Sequence, residues 1–178
     1  MFSGQLPHFL EPRKLADQEA EITGQTTVAR LPRLAEFEAS QQQVVEVALR
    51  FARDEAHRQC LSGTIRTELT MTCQRCLEPV SCQIVAKPAL VMVYDEEQMR
   101  ALPEHLDPWL VEEDRIMLAD LAAEELLLAL PLVAMHEQCP KSLPNPAGAE
   151  GSSEAPKQAA KADNPFAVLA QIKRRHDD

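Results

Sequence analysis

Leu61-Ser-Gly-Thr-Ile-Arg-Thr-Glu-Leu-Thr-Met-Thr-Cys-Gln-Arg-Cys-Leu-Glu-Pro79 is the stretch whose reading decides the fold. Leu61, Ile65, Leu69 and Met71 fall on one face of an extended chain, opposite Arg66, Glu68, Thr70 and Thr72. That is the two-residue period of a strand with one side buried. The β-branched residues Thr64, Ile65, Thr67, Thr70 and Thr72 favour strand over helix. Cys73 to Pro79 then reads as a turn. Upstream, Val45, Val47, Leu49 and Phe51 alternate with Glu46, Ala48, Arg50 and Ala52, which predicts a second half-buried strand ending at the polar turn Arg53-Asp54-Glu55-Ala56. Downstream, Val80 to Val93 gives a third extended run, in which Pro88 predicts an edge or a bulge. Strands joined by short turns make an antiparallel meander, because a parallel pair needs a long crossover.

Further out, a short helix is expected over Pro12 to Ala20, where Pro12 suits a first helical turn. A strand from Glu21 to Ala29 and a turn or short helix at Pro32 to Phe37 follow. Tyr94 to Asp114 is acidic and interrupted by Pro103 and Pro108, which reads as loop with one helical turn. Ile116 to Leu130 is the main helix, with Leu118, Leu121 and Leu128 on one side and an end apolar all round, as for a helix plugged into a core. Pro131 stops it. Residues 1–139 thus read as one α+β domain, an antiparallel meander packed with a main helix. Residues 140–163 change to Pro, Ala, Gly, Ser and Lys without an aromatic, the composition of a disordered linker. Residues 164–178 read as a short amphipathic helical tail: Asn164 is a good N-cap, Pro165 a good first residue, and Phe166, Leu169 and Ile172 or Lys173 recur at helical spacing. Such a tail suits docking to a partner, or folding back on its own domain.

Composition narrows the function. Apolar residues make up 45% of the chain and aromatic ones 4%, so the core is aliphatic. No charged leader with an apolar run and cleavage site is present, and the densest apolar stretch, Leu126 to Val133, is too short to span a bilayer. A cytoplasmic protein without membrane partners is expected. Of the net charge of −10, eleven acids against Arg100 and Arg115 place −9 between Asp95 and Glu125. A near-neutral body with one acidic block lacks the basic face of a general nucleic-acid binder. It suits a basic protein partner, or is a solvated acidic loop and helix face.

Five cysteines in a chain without a secretion signal make a disulfide framework improbable. Cys73-Gln74-Arg75-Cys76 lies at a hairpin tip, where a tight turn can present two sulfurs to one side as half of a zinc site. His136-Glu137-Gln138-Cys139, beyond the main helix, supplies a second half across 59 intervening residues. Three thiolates and an imidazole are a common structural zinc set. Burial of Cys73 and Cys76 as packing and turn residues is the other reading. Thioredoxin-type chemistry wants its first cysteine at a helix N-terminus after a strand, and here the motif runs strand to turn to strand. Cys60 and Cys82 read as buried small hydrophobes. His8, His57, His105 and His176 have no motif partner, and no phosphate loop or nucleophile elbow appears, so no small-molecule substrate is implied.

Cys73-Gln74-Arg75-Cys76-Leu77-Glu78-Pro79 resembles the signature hairpin of the large ribosomal RNA subunit accumulation protein (YceD) family. Asp120 to Pro131 resembles its helical segment, and Asn164-Pro165-Phe166-Ala167-Val168-Leu169 with Lys173-Arg174-Arg175 is similar to the C-terminal motif of its proteobacterial members. The resemblance implies a non-enzymatic factor in the synthesis, processing or stability of 23S ribosomal RNA. It acts by binding a ribosomal protein or the precursor 23S RNA. Some relatives carry further cysteines after the helix, where this chain has only His136 and Cys139. The alternatives outside that family are a small zinc-dependent adaptor unrelated to ribosomes and a thiol oxidoreductase. For direct RNA binding the candidate surface is Arg50, Arg53, Arg58, Arg66, Arg75 and Lys87, with Arg50 and Arg66 on the polar face of the strands.

Overall fold

A computed structural model describes residues 2–139 of the chain. Contacts divide the chain into Met1–Leu143 and Pro144–Asp178, and every described residue belongs to the first unit. The expected linker and helical tail, including Asn164, Pro165, Phe166, Leu169 and Lys173, lie outside the described residues.

In chain order the elements are β1 (Phe2–Gln5), β2 (Phe9–Leu10), α1 (Pro12–Asp17), β3 (Glu21–Thr27), β4 (Val44–Arg53), β5 (Gln59–Thr72), β6 (Pro79–Ala86), β7 (Ala89–Val93), α2 (Glu96–Ala101), β8 (Asp107–Leu110), β9 (Ile116–Met117) and α3 (Leu118–Leu128). The α+β class expected from the sequence is what forms. Its frame is the antiparallel run β3–β4–β5–β6, with β5 as the spine: β4 pairs along Gln59–Arg66, β6 along Ile65–Thr72 and β7 along Cys60–Ser62. Alternation explains the pairing. On β4, Val45, Val47, Leu49 and Phe51 are buried while Val44, Glu46, Ala48 and Arg50 are exposed, and on β5 Leu61, Ile65 and Leu69 continue the same inner face. Complete burial of such an aliphatic side chain contributes about 1.5–3 kcal/mol, and a one-residue slip would turn the whole set outward.

Pro88 does not mark a bulge. Ile65 faces Ala86 and Ser62 faces Ala89, so β6 and β7 follow one register along the same edge of β5. Proline lacks an N–H and interrupts the ladder, yet its carbonyl still accepts the Gly63 amide at 3.2 Å. Two strands lie outside the expected meander. β1 joins β3 in parallel and β8 joins β7 in parallel, the latter through a crossover that contains α2. Asp95 caps α2 by accepting the Gln98 amide at 2.7 Å. Pro103 and Pro108 made this region read as loop. Pro108 is tolerated because β8 is the last strand of its sheet. β2 and β9 form a separate antiparallel pair that opens α3.

The main helix needs a correction. It spans Leu118–Leu128, not Ile116 to Leu130, and it buries Leu118, Leu121, Ala122, Ala123 and Leu126. Leu128, expected on the inward side, is 77% exposed. It lies ten residues past Leu118, about 2.8 turns, and so lands beside the buried face. The end of the helix does reach the core through Leu126, with Leu127, Ala129 and Leu130 packed partly against it, but it is not buried all round. Leu128, Leu132, Val133 and Met135 all project from the surface there.

Candidate metal centre

The site begins with the β5–β6 turn. The Cys73 amide donates to the Glu78 carbonyl and the Leu77 amide donates to the Cys73 carbonyl, each at 2.9 Å. Leu77 closes the turn with φ of +61°, a left-handed conformation that costs a β-carbon-bearing residue roughly 1–2 kcal/mol. The turn sets both sulfurs on one side, and Cys73 and Cys76 are buried.

The second half arrives from beyond α3. After Pro131 the chain runs back along the hairpin tip, and the Gln74 amide donates to the Ala134 carbonyl at 2.9 Å. The His136 amide donates to Cys73 Sγ at 3.4 Å. Arg75 fastens the rest: its Nε donates to Cys139 Sγ at 2.8 Å and its Nη2 to the His136 carbonyl at 3.1 Å. Cys73, Cys76, Val80 and Ala134 form a small core of their own, lined by Met71, Cys82 and Cys139. The packing reading and the ligand reading of Cys73 and Cys76 therefore describe the same arrangement.

The four side chains named from the sequence come together. One ligand atom each from Cys73, Cys76, His136 and Cys139 lies within 4.8 Å of the others. Cys73 and Cys139 sulfurs are 3.7 Å apart, and Cys76 Sγ lies 3.4 Å from His136 Nδ1. Zinc bonds of about 2.3 Å to sulfur and 2.0–2.1 Å to nitrogen, at tetrahedral angles, put ligand atoms about 3.5–3.8 Å apart. A disulfide would hold sulfurs at about 2.05 Å. The set could hold a metal ion, and its spacing fits tetrahedral zinc.

Protonation supports the same chemistry. Burial pushes the Cys73 thiol up, but the backbone amides of Cys76, His136 and Arg75, with the His136 ring, outweigh it and hold Cys73 at about 5. Cys76 moves the other way: the Glu78 amide pulls it down, while burial and the neighbouring Cys139 and Cys73 carry it above its ordinary value. Hydrogen bonding to Cys139, and then its charge, raises Arg75. A low-lying thiolate beside two further sulfurs is what a cation would neutralise. A redox thiol must meet its substrate, and the Cys73 side of this centre is 0% exposed. Cys60 and Cys82 are not among the four ligands, although Cys82 packs against the small core; both are half-buried rather than buried, and burial raises the Cys60 thiol.

A family model for large ribosomal RNA subunit accumulation protein YceD matches residues 61–173. The large ribosomal RNA subunit accumulation protein YceD of Haemophilus influenzae is 33% identical over 178 residues, covering 96% of this chain and 98% of its own. The chain belongs to this family. No solved structure matches it. The YceD match starts at the first buried residue of β5 and runs through the hairpin, α3 and the tail as far as Lys173. The family is named for accumulation of the large ribosomal RNA, not for a reaction. Among the described residues no helix is long and apolar enough to cross a membrane.

The proposed RNA surface does not assemble as a basic face. Arg50 and Arg66 do lie on the exposed side of the sheet, but Arg50 stands opposite Glu21 and Arg66 opposite Glu46. Arg53 pairs with Asp17 at 2.6 Å and Arg58 with Asp54 at 2.7 Å. Arg75 belongs to the cysteine centre. Acidic neighbours are interleaved with these arginines, which the linear sequence alone does not show. The sequence reading also missed Arg75 as the latch between the two half-sites; its place inside the Cys-x-x-Cys turn was the available signal.

Proposed function

We propose that this chain supports accumulation of 23S ribosomal RNA in the cytoplasm as a binding factor without a reaction of its own. Its Cys73, Cys76, His136 and Cys139 hold one structural zinc ion. Family membership carries the ribosomal part: the similarity to a YceD protein extends over nearly the whole of both chains. The four-ligand geometry supports the zinc part. Zinc there would tie the segment after α3 to the hairpin, binding two parts of the chain 59 residues apart. The direct partner is a basic ribosomal protein rather than precursor RNA, because Arg53 and Arg58 are ion-paired with carboxylates and Arg50 and Arg66 stand across from glutamates. The tail at Asn164, Pro165, Phe166, Leu169 and Lys173 adds a second contact to the assembling particle.

The test uses a strain lacking this protein, complemented with the full chain or with Cys139→Ser. Loss should lower the ratio of 23S to 16S RNA, wild type should restore it, and Cys139→Ser should restore it poorly. An unchanged ratio on loss would remove the ribosomal reading. Full rescue by Cys139→Ser, together with purified protein free of zinc, would remove the metal.

A further inference from the structure

A concentration of acidic charge next to apolar surface lies away from the cysteine centre. The β2–β9 pair sets Phe9 opposite Met117, and these side chains are 50% and 48% exposed. Together with Trp109 of β8 and Leu121 of α3 they line a groove of about 480 Å³. Glu113, Asp120 and Glu124 stand around it, and Glu124 is ion-paired with Arg33 at 3.5 Å. Its one base, Arg115, is laid over the Phe9 ring, 4.8 Å from the centroid.

Three features define an occupant. The chain has few aromatic residues and a single tryptophan, yet it places Phe9, half-exposed, and Trp109, partly buried against the core, at an open groove. Exposed aromatic surface with polar surroundings marks an interaction site. The rim is acidic, and most of the −9 block (Asp95 to Glu125) is carried by the elements beside it: α2, β8, the 112–115 loop and the start of α3. Close by, burial raises the carboxyl of Glu125, and the charges of Glu124 and Asp107 add to it. Phosphates are repelled by such a rim, whereas a guanidinium can stack on an aromatic face and pair with carboxylates at once. Arg115 on Phe9 is an internal instance of that stacking.

The geometry points to this groove as the docking site for an arginine-bearing extended segment of a basic protein. Its guanidinium would stack on Trp109 while Glu113 and Asp120 take up the charge. The inference rests on the reading of a ribosomal protein as partner, and it names the surface that would be used.

Trp109 reports on its own groove. Full-length protein titrated with the acetylated peptide Arg-Leu-Arg-Leu-Arg should give a saturable change in tryptophan fluorescence that weakens as salt rises. The lysine version should bind about threefold more weakly, from the loss of planar stacking. The double variant Glu113→Gln/Asp120→Asn should bind about tenfold more weakly with an unchanged melting curve; Glu113→Gln alone, in the loop, provides a second variant that leaves α3 intact. Equal affinity for the variants, no fluorescence change, or a stronger response to a 23S-derived oligonucleotide would overturn the proposal. So would a self-associated form abolished by Phe9→Ser, since a second copy would then be the occupant. If the groove variants fail to alter capture of ribosomal proteins while the wild type still sustains 23S RNA, the docking site is wrong and the function stands.

Discussion

Replacing Gly63 by alanine tests the spine of the fold. A β-carbon at Gly63 would lie 2.2 Å from the Ala48 carbonyl oxygen, 3.0 Å from Leu49 Cα and 3.1 Å from the Ala48 carbonyl carbon. All three are backbone atoms of β4, so no side chain can rotate aside. Contacts below 3.0 Å essentially never occur for a real β-carbon, so the strands must part locally by at least about 0.8 Å. A ladder bond of about 2.9 Å stretched by that much is no longer a hydrogen bond. Losing two such bonds at about 1 kcal/mol each, with about 1–3 kcal/mol of overpacking strain, gives a cost of about 3–5 kcal/mol. Against it stands a gain of about 0.4–1 kcal/mol from a less flexible unfolded chain. The net is a large part of a stability that is about 5–15 kcal/mol for an ordinary domain. Urea unfolding of the full chain, followed by circular dichroism, should show a midpoint lower by about 1–2 M at a slope near 2 kcal/mol/M. A shift below about 0.3 M would refute the close-approach argument.

The helix face can be checked with a pair of variants: Leu126→Ala should cost about 2–5 kcal/mol by opening a cavity, whereas Leu128→Ala should stay within about 0.5 kcal/mol. Similar losses in the two would mean that the buried face has been misassigned. Glu125 has a carboxyl raised first by burial and then by Glu124 and Asp107, so folding favours its protonated form. That advantage is complete below the unfolded value of about 4.3 and is lost as pH rises through the folded one. Glu125→Gln should therefore melt higher than wild type at pH 7 and match it near pH 4; an equal melt at pH 7 would contradict this. For the cysteine centre, purified full chain should carry one zinc per molecule, and a chelator should lower its melting temperature but not that of Cys139→Ser. Arg75→Gln keeps all four ligands and loses the latch, so it should yield zinc to a competing chelator more readily than wild type; unchanged competition would leave Arg75 without that role.

Function and fold meet at β5. One 14-residue strand carries the pairing partners of β4, β6 and β7 and ends one residue before Cys73. The hairpin tip is therefore held by the most heavily paired element of the sheet, which is how a turn can present two sulfurs at fixed spacing. The backbone strain at Leu77 is set against the amide of Leu77 bonding back to Cys73 and the packing of Val80 and Ala134 beneath.

The sequence by itself determined the meander, the Cys-x-x-Cys turn and the presence of the main helix, because each is written in neighbours: alternation over β4 and β5, β-branched residues, acids ahead of an apolar run. It also named Cys73, Cys76, His136 and Cys139, by residue type alone. Only the tertiary structure decided that the two halves meet. The meeting depends on where α3 lies against the sheet and on Arg75 and Gln74 catching the segment after it. Long-range pairing likewise decided β1, β8 and β9, which are too short or too proline-marked to announce themselves. It also turned Leu128 outward, paired Arg53 with the distant Asp17, and set Arg50 and Arg66 across from Glu21 and Glu46. Periodicity reports which side of an element is buried; what lies across from it is fixed only when the elements pack.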